Sequence, residues 1–230
     1  MSLTHIPLLN HGFIELVDYM GDEQSILRAA RVSYNSDSIA TDHAKDEKLI
    51  AYLLKNKHTS PFEHVVFTFH VCCPIFVARQ WMRHRTASYN EISARYTALP
   101  AEFFVPAAET IGRQSSSNKQ MRTFDPNLNA GLIQEIIRLQ GEAAFTAYNN
   151  LLAYDCPREL ARSVLPVGTY TRYYFTMNLH NLFHFLELRL HEHAQHEIQV
   201  YGQAILKIIK KLAPFTVEYF LKTLPYEPSI

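Results

Sequence analysis

Residues 64–96, HVVFTFHVCCPIFVARQWMRHRTASYNEISARY, run from a strand into a helix and then into a dense cluster of charged and polar groups. His64 to Val71 alternates, with Val65, Phe67, Phe69 and Val71 on one face and Val66, Thr68 and His70 on the other, the two-residue period of a β-strand. Pro74 opens a helix through Met82, which delivers the chain into Arg83-His84-Arg85-Thr86-Ala87-Ser88-Tyr89-Asn90-Glu91-Ile92-Ser93-Ala94-Arg95-Tyr96. That segment gathers three guanidiniums, an imidazole, two serine hydroxyls, a carboxamide and one carboxylate. Guanidinium is always charged and forks onto phosphate oxygens, so the cluster asks for an anionic, phosphorylated ligand. It is held at the end of an element, where binding groups tend to sit.

Outward from this stretch the periodicity predicts the remaining elements. Gly12 to Met20 reads as a strand, Glu23 to Val32 as a short helix, and His43 to Lys57 as a helix with Leu49, Ile50, Leu53 and Leu54 on one face. Ser115 to Lys119 reads as a polar, mobile surface loop. A long amphipathic helix is expected over Leu128 to Tyr154 and a short one from Pro157, since proline suits the first helical turn. Thr169 to Met177 is rich in threonine and aromatics and reads as a strand. Two helices, Leu179 to Leu190 and His191 to Leu221, or one bent helix, fill the rest. No repeat, low-complexity tract or linker interrupts the chain, so one α+β domain over residues 1–230 is expected.

With 230 residues, 47% hydrophobic, the chain can bury a full core. Its 22 basic and 22 acidic side chains cancel, so no global field draws it to nucleic acid or anionic lipid, and any basic site must be local. No apolar run approaches the roughly 20 residues that span a bilayer, and Met1 to Asn10 lacks a signal peptide's layout, so a cytoplasmic protein is expected. Cys72, Cys73 and Cys156 offer neither a Cys-x-x-Cys pair nor an even count and read as reduced thiols.

Several other chemistries can be weighed on the same residues. Arg189 follows the Leu182, Phe185 and Leu186 stripe, so its charge needs either a salt bridge with a neighbour such as Glu187 or Glu192, or a ligand oxygen. Arg162 has a similar place at the edge of the Leu160, Ala161, Val164 and Leu165 stripe. The run His191-Glu192-His193-Ala194-Gln195-His196-Glu197 has Gln195 where a zincin needs histidine, and no third ligand at recognisable spacing, so no metal is expected. No Gly-x-Ser-x-Gly elbow surrounds Ser88 or Ser93, and there is no Walker or dinucleotide glycine loop. A non-catalytic reading would stack bases on Tyr89, Tyr96, Tyr170, Tyr173 and Tyr174, but neutral net charge argues against a nucleic-acid partner.

The pattern Arg83-His84-Arg85-x-x-Ser88-x-Asn90-Glu91-x-Ser93-x-Arg95 resembles the full signature of the flavin-dependent thymidylate synthases. His58-Thr59-Ser60-Pro61-Phe62-Glu63-His64 is similar to the family's H-x-[ST]-P-F-E-H segment, and Pro74 to Trp81 to its approach helix. Leu188-Arg189 with Ala194-Gln195-x-Glu197-Ile198 resembles the C-terminal block, so the likeness spans about Gly12 to Tyr201.

The resemblance implies a central, mostly antiparallel sheet flanked by helices. It also implies reductive methylation of dUMP to dTMP, with 5,10-methylenetetrahydrofolate as carbon donor, FAD as hydride carrier and NADPH as reductant. By the same likeness Ser33, Ser60, Arg83, His84, Arg85, Glu91, Asn178, Leu179, His180 and His184 would contact FAD. Gln80, Trp81, Met82, Arg83, Glu91, Ile92, Ser93, Ala94, Arg95 and Arg162 would surround dUMP. Arg189 would sit by the pyrimidine and stabilise negative charge as N3 ionises and C5 becomes nucleophilic, with His58 near flavin and folate. His180 and His184 stand where some relatives carry arginine and asparagine. The family's homotetramer, with sites shared between subunits, is implied as well. Read as residues alone, Trp81 could equally be core, Glu63 and His64 could brace the strand, and Ser88 and Asn90 could shape the loop.

Overall fold

A computed structural model describes residues 5–34 and 42–228. The central strand is the one the alternation predicts. Strands β1 (His5–Leu8) and β2 (Gly12–Met20) form a hairpin, followed by helices α1 (Glu23–Arg31) and α2 (His43–Lys55), strand β3 (Val66–Pro74), helix α3 (Ile75–Trp81) and strand β4 (Ser88–Glu91). A two-strand hairpin, β5 (Arg113–Gln114) and β6 (Arg122–Thr123), precedes the long α4 (Ala130–Ala153) and the short α5 (Arg158–Ala161). Strand β7 (Tyr170–Asn178) runs directly into α6 (Leu179–Arg189), and α7 (His196–Ile209) and α8 (Pro214–Thr223) follow. The main sheet has the order β1-β2-β3-β7-β4 with every pair antiparallel, as the family resemblance implies.

The two faces of this sheet differ because β3 and β7 alternate in phase. Phe69 lies opposite Phe175 and Val71 opposite Tyr173, and these side chains are sealed in a core with α3, α6 and α7. Each such apolar side chain contributes about 2 kcal/mol when taken out of water. On the other face His70 stacks on Tyr174 at 4.9 Å, with the edge of Phe13 5.0 Å from His70. No helix of the described residues seals that face, and Tyr174 is exposed. Gly12 is required by a close approach: a Cβ there would lie 2.1 Å from Tyr201 Oη, which donates a 2.6 Å hydrogen bond to the Cys72 carbonyl.

Several expected boundaries move, for local reasons. The strand expected from His64 begins at Val66 because Ser60–His64 form a 3-10 turn started by Pro61. The helix expected over His191 to Leu221 is two helices. Residues 191–195 form a turn in which His193 N–H donates to His191 Nδ1, and Pro214 restarts the chain as α8. The loop at Ser115 to Lys119 is the tip of the β5–β6 hairpin: Ser115 is buried, and the Gln114 side chain donates to the carbonyls of Lys119 and Met121 at 3.0 Å. Strands β1, β4, β5 and β6 are not among the elements that the periodicity predicts.

Candidate functional site

The arginine cluster is anchored from behind. Trp81, at the end of α3, is fully buried, with ring centroids of Tyr173, Phe175, Phe185 and Tyr201 between 5.0 and 5.8 Å away. Tyr89 on β4 donates its hydroxyl to the His84 carbonyl at 2.9 Å and lies 3.3 Å from the Trp81 carbonyl, closing the turn between α3 and β4. The chain therefore leaves the core at Met82 and re-enters at Tyr89, with Arg83 and Arg85 on its outer side.

Inside that turn His84 is 7% exposed, and its ring lies edge-on to Phe185 at 4.8 Å. Its Nε2 accepts a 3.1 Å hydrogen bond from Arg189 Nε, which fixes the proton of the neutral ring on Nδ1. Burial first, then the positive charge of Arg189 and the proximity of His184, hold His84 down to about 4. Arg189 Nη2 donates to the Gln80 carbonyl at 3.1 Å, one of the carbonyls a helix end leaves unpaired. Both partners of Arg189 are uncharged, so neither Glu187 nor Glu192 neutralises it. Burial lowers its pKa from the ordinary 12.5, yet the half-buried guanidinium keeps its full positive charge.

The polar contacts extend from there into the protein. The Gln80 amide donates to Gln195 Oε1, Gln195 Nε2 donates to Glu197 Oε2 at 2.7 Å, and Arg122 Nη2 pairs with Glu197 Oε1 at 2.5 Å. Glu197 is 1% exposed, and a carboxylate so buried needs both of those donors.

A second group lies at the other end of β4. Thr171 Oγ1 donates to Glu91 at 2.5 Å and Ile92 N–H donates to the Arg172 carbonyl, which carry the strand past β7. Arg95 and Arg162 then converge on Glu159: Arg95 Nε stands 3.9 Å from its carboxylate, and Arg162 Nε donates to its carbonyl at 3.3 Å. A cavity of about 310 Å³ lined by Arg95, Tyr96, Pro157, Arg158 and Glu159 opens there. Both arginines are exposed and available to an anion such as a phosphate.

The other residues singled out in the sequence fall into three sets. Arg83 and Arg85 are exposed and have no ion pair among the described residues; His58 and Ser60 are exposed, the latter at the head of the 3-10 turn that packs on α6 and α1. His180 is half-buried near the start of α6, and His184 lies 6.1 Å from His84, so the first turns of α6 gather the Ser60 and His84 groups. Ser33 is exposed on a 3-10 turn after α1, beside a cavity of about 970 Å³ lined in part by Arg28, Val32, His64 and Lys211. Met82, Ser93 and Ala94 are half-buried and Ile92 is exposed on the face of the cluster.

Three of the residues expected to contact ligands have side chains or an N–H engaged by the fold itself. Trp81 is core and can offer a ligand no side-chain contact; its indole Nε1 has no hydrogen-bond partner among the described residues. Leu179 is sealed, and its N–H is spent on the Val65 carbonyl at 2.7 Å. Asn178 spends its side-chain oxygen capping α6 at the Asn181 N–H.

Other chemistries find little purchase. Among the described residues no three His, Cys, Asp or Glu side chains are grouped to hold a metal; His191 packs on His193 and Tyr226. Tyr170 and Tyr173 are buried and Tyr89 half-buried, leaving only Tyr96 and Tyr174 of the five aromatics exposed for stacking. Cys72 and Cys73 are sealed, and burial raises both thiols far from nucleophilic readiness. No helix among the described residues is long and apolar enough to cross a membrane. Sequence reasoning gives no role to Arg122, Thr171 or Glu159, and meets Gln195 and Glu197 only in the weighed metal run and in the C-terminal block.

Comparison with known proteins places this geometry. The family described as Thymidylate synthase complementing protein matches residues 15–215. A flavin-dependent thymidylate synthase of Treponema denticola is 51% identical over 216 residues, covering 93% of this chain and 80% of that one. One from Thermotoga neapolitana is 48% identical over 217 residues, 94% of each chain. The crystal structure of the UMP/dUMP methylase PolB from Streptomyces cacaoi, bound with 5-Br dUMP, superposes with a TM-score of 0.88 at 36% identity and covers 97% of this chain and all of its own. With the fold, a family match over residues 15–215 and relatives aligned over 93% and 94% of this chain in agreement, the chain belongs to the flavin-dependent thymidylate synthase family.

Proposed function

We propose that the protein methylates C5 of the uracil ring of dUMP to give dTMP, taking the carbon from 5,10-methylenetetrahydrofolate. FAD, when bound, supplies hydride transfer, and NADPH replenishes it. The observation that carries this reading is the half-buried charge of Arg189, held by His84 and Gln80 yet matched to no carboxylate among the described residues. A pre-aimed cation in that position stabilises negative charge as it develops on a pyrimidine whose C5 becomes nucleophilic. Arg95 and Arg162 suit the nucleotide's phosphate. Arg83 and Arg85, exposed and unpaired among the described residues, suit the flavin's pyrophosphate together with Ser60, His180 and His184. His84 gives Nε2 to Arg189 and keeps its Nδ1–H as the donor it could offer the flavin. The buried thiols leave the protein positioning and charge, with the carbon and hydride chemistry left to the cofactors.

The assembly we infer is a homotetramer working in the cytoplasm. Supporting it, α4 exposes Leu132, Ile136 and Leu139 along one side, and the Phe13, His70 and Tyr174 face of the sheet has no cover of its own. The two arginine groups flank opposite ends of β4, a strand about 10 Å long, which suits sites completed by a neighbouring subunit. The test is dTMP formation with each component omitted in turn, with UMP offered beside dUMP. Activity that persists without flavin, or methylation of UMP in preference to dUMP, would sink the reading. Arg189→Ala should abolish tritium release from 5-tritiated dUMP while the protein stays yellow, and undiminished release would remove its role.

A further inference from the structure

We propose that Glu197 is a positioning residue that decides which end of the Gln80 amide faces the nucleotide, and so makes the site read the imide N–H of a uracil ring. The inference rests on the reading of the site as a dUMP site. A carboxylate only accepts hydrogen bonds, and Glu197 is sealed with one oxygen on Arg122 and the other facing Gln195. Gln195 must therefore turn its NH2 to Glu197 and its oxygen to Gln80, and Gln80 must answer with its own NH2. The oxygen of the Gln80 amide is left over, with no partner among the described residues. The backbone carbonyl of the same residue accepts from Arg189, and the proposal sets the amide oxygen toward the pyrimidine beside that guanidinium. A free amide oxygen asks for a donor. A uracil nucleotide has one donor on its ring, N3–H, where a cytosine presents an acceptor.

The direction of this amide train depends on where its one carboxylate sits. With an amide at position 197, Arg122 still finds an oxygen, but the new NH2 meets Gln195, which must reverse, and Gln80 must reverse after it and offer NH2 outward. If the carboxylate is moved to position 195 and the amide to 197, every hydrogen bond is restored and Gln80 again turns its oxygen outward. A role confined to stabilising the fold would not distinguish these two variants in ligand choice.

The experiment is calorimetric binding of dUMP and of dCMP to the FAD-loaded protein. Wild type should prefer dUMP, and Glu197→Gln should shrink the dUMP:dCMP preference by about tenfold or more, the scale of one misdirected hydrogen bond at a buried site. Gln195→Glu/Glu197→Gln should recover the preference to within about threefold. Should the single variant fail to fold, Gln195→Met cuts the train without touching the Arg122 and Glu197 pair and should also lower the preference. An unchanged preference in folded Glu197→Gln or in Gln195→Met, equal loss for both nucleotides, or no recovery in the double variant overturns the proposal. A wild-type protein that binds no dUMP overturns the reading of the site instead, which is a separate result.

Discussion

Replacing His84 with glutamine should remove about 3 kcal/mol of acid sensitivity from the fold. In the folded protein burial, then the nearby charge of Arg189 and His184, hold the imidazole down to about 4 from an ordinary 6.5. Between those values the unfolded chain binds a proton that the folded chain refuses. The His84 contribution is therefore fully present above pH 6.5 and is lost as pH falls toward 4. At about 1.4 kcal/mol per pH unit of displacement, the loss amounts to about 3 kcal/mol. Glutamine can still accept from Arg189 Nε through its oxygen, loses some packing on Phe185, and does not titrate. The variant should be less stable by about 1 kcal/mol near neutrality and more stable than wild type at about pH 4. Urea unfolding followed by far-ultraviolet circular dichroism, at one protein concentration and several pH values, measures the difference. His70 and His196, also depressed by burial, titrate in both proteins and cancel. A difference that stays constant with pH would mean that His84 does not hold Arg189 as a neutral acceptor.

Gly12→Ala should lower stability by about 3 kcal/mol, since its methyl meets Tyr201 Oη and the Leu8 carbonyl and breaks the Tyr201 hydrogen bond; a thermal midpoint within about 2 °C of wild type would contradict that packing. Replacing Cys72, Cys73 and Cys156 together with alanine should leave turnover detectable at a cost of about 1–2 kcal/mol for each buried thiol, and complete loss of activity in a folded variant would restore a cysteine mechanism. Arg95→Ala and Arg162→Ala should each weaken dUMP binding by about tenfold while leaving deoxyuridine unaffected; equal losses for nucleotide and nucleoside would place the phosphate elsewhere.

The core strand and most helices were legible because their signals are local. Phe67, Phe69 and Val71 alternate in the sequence and are buried on one face in the structure. Strand β4 was not, because Ser88-Tyr89-Asn90-Glu91 carries neither β-branched residues nor alternation; its conformation is imposed by pairing with β7 and by the Tyr89 hydroxyl. The run from His191 to Gln195 kept a helical composition yet turns. The site was legible as a motif and not as a network. Arg122 and Glu197 are 75 positions apart, and nothing in either neighbourhood announces the pairing. Trp81, which the motif places among ligand groups, proves to be the anchor that lets its neighbours face outward.

The signature strand β4 is the outer strand of the main sheet, four residues long and paired only with β7, while β3 two places inward carries the core. In a library of single substitutions scored both for cellular abundance and for growth without thymidine, the two scores should part company along the sheet. At Phe67 and Phe69 both should fall together, because losing the core removes the protein itself. At Arg83 and Arg85, exposed just before β4 and proposed to hold the flavin's pyrophosphate, growth should fail while abundance holds. The exposed arginines of the signature thus flank a margin of the sheet, where substitution costs the fold little.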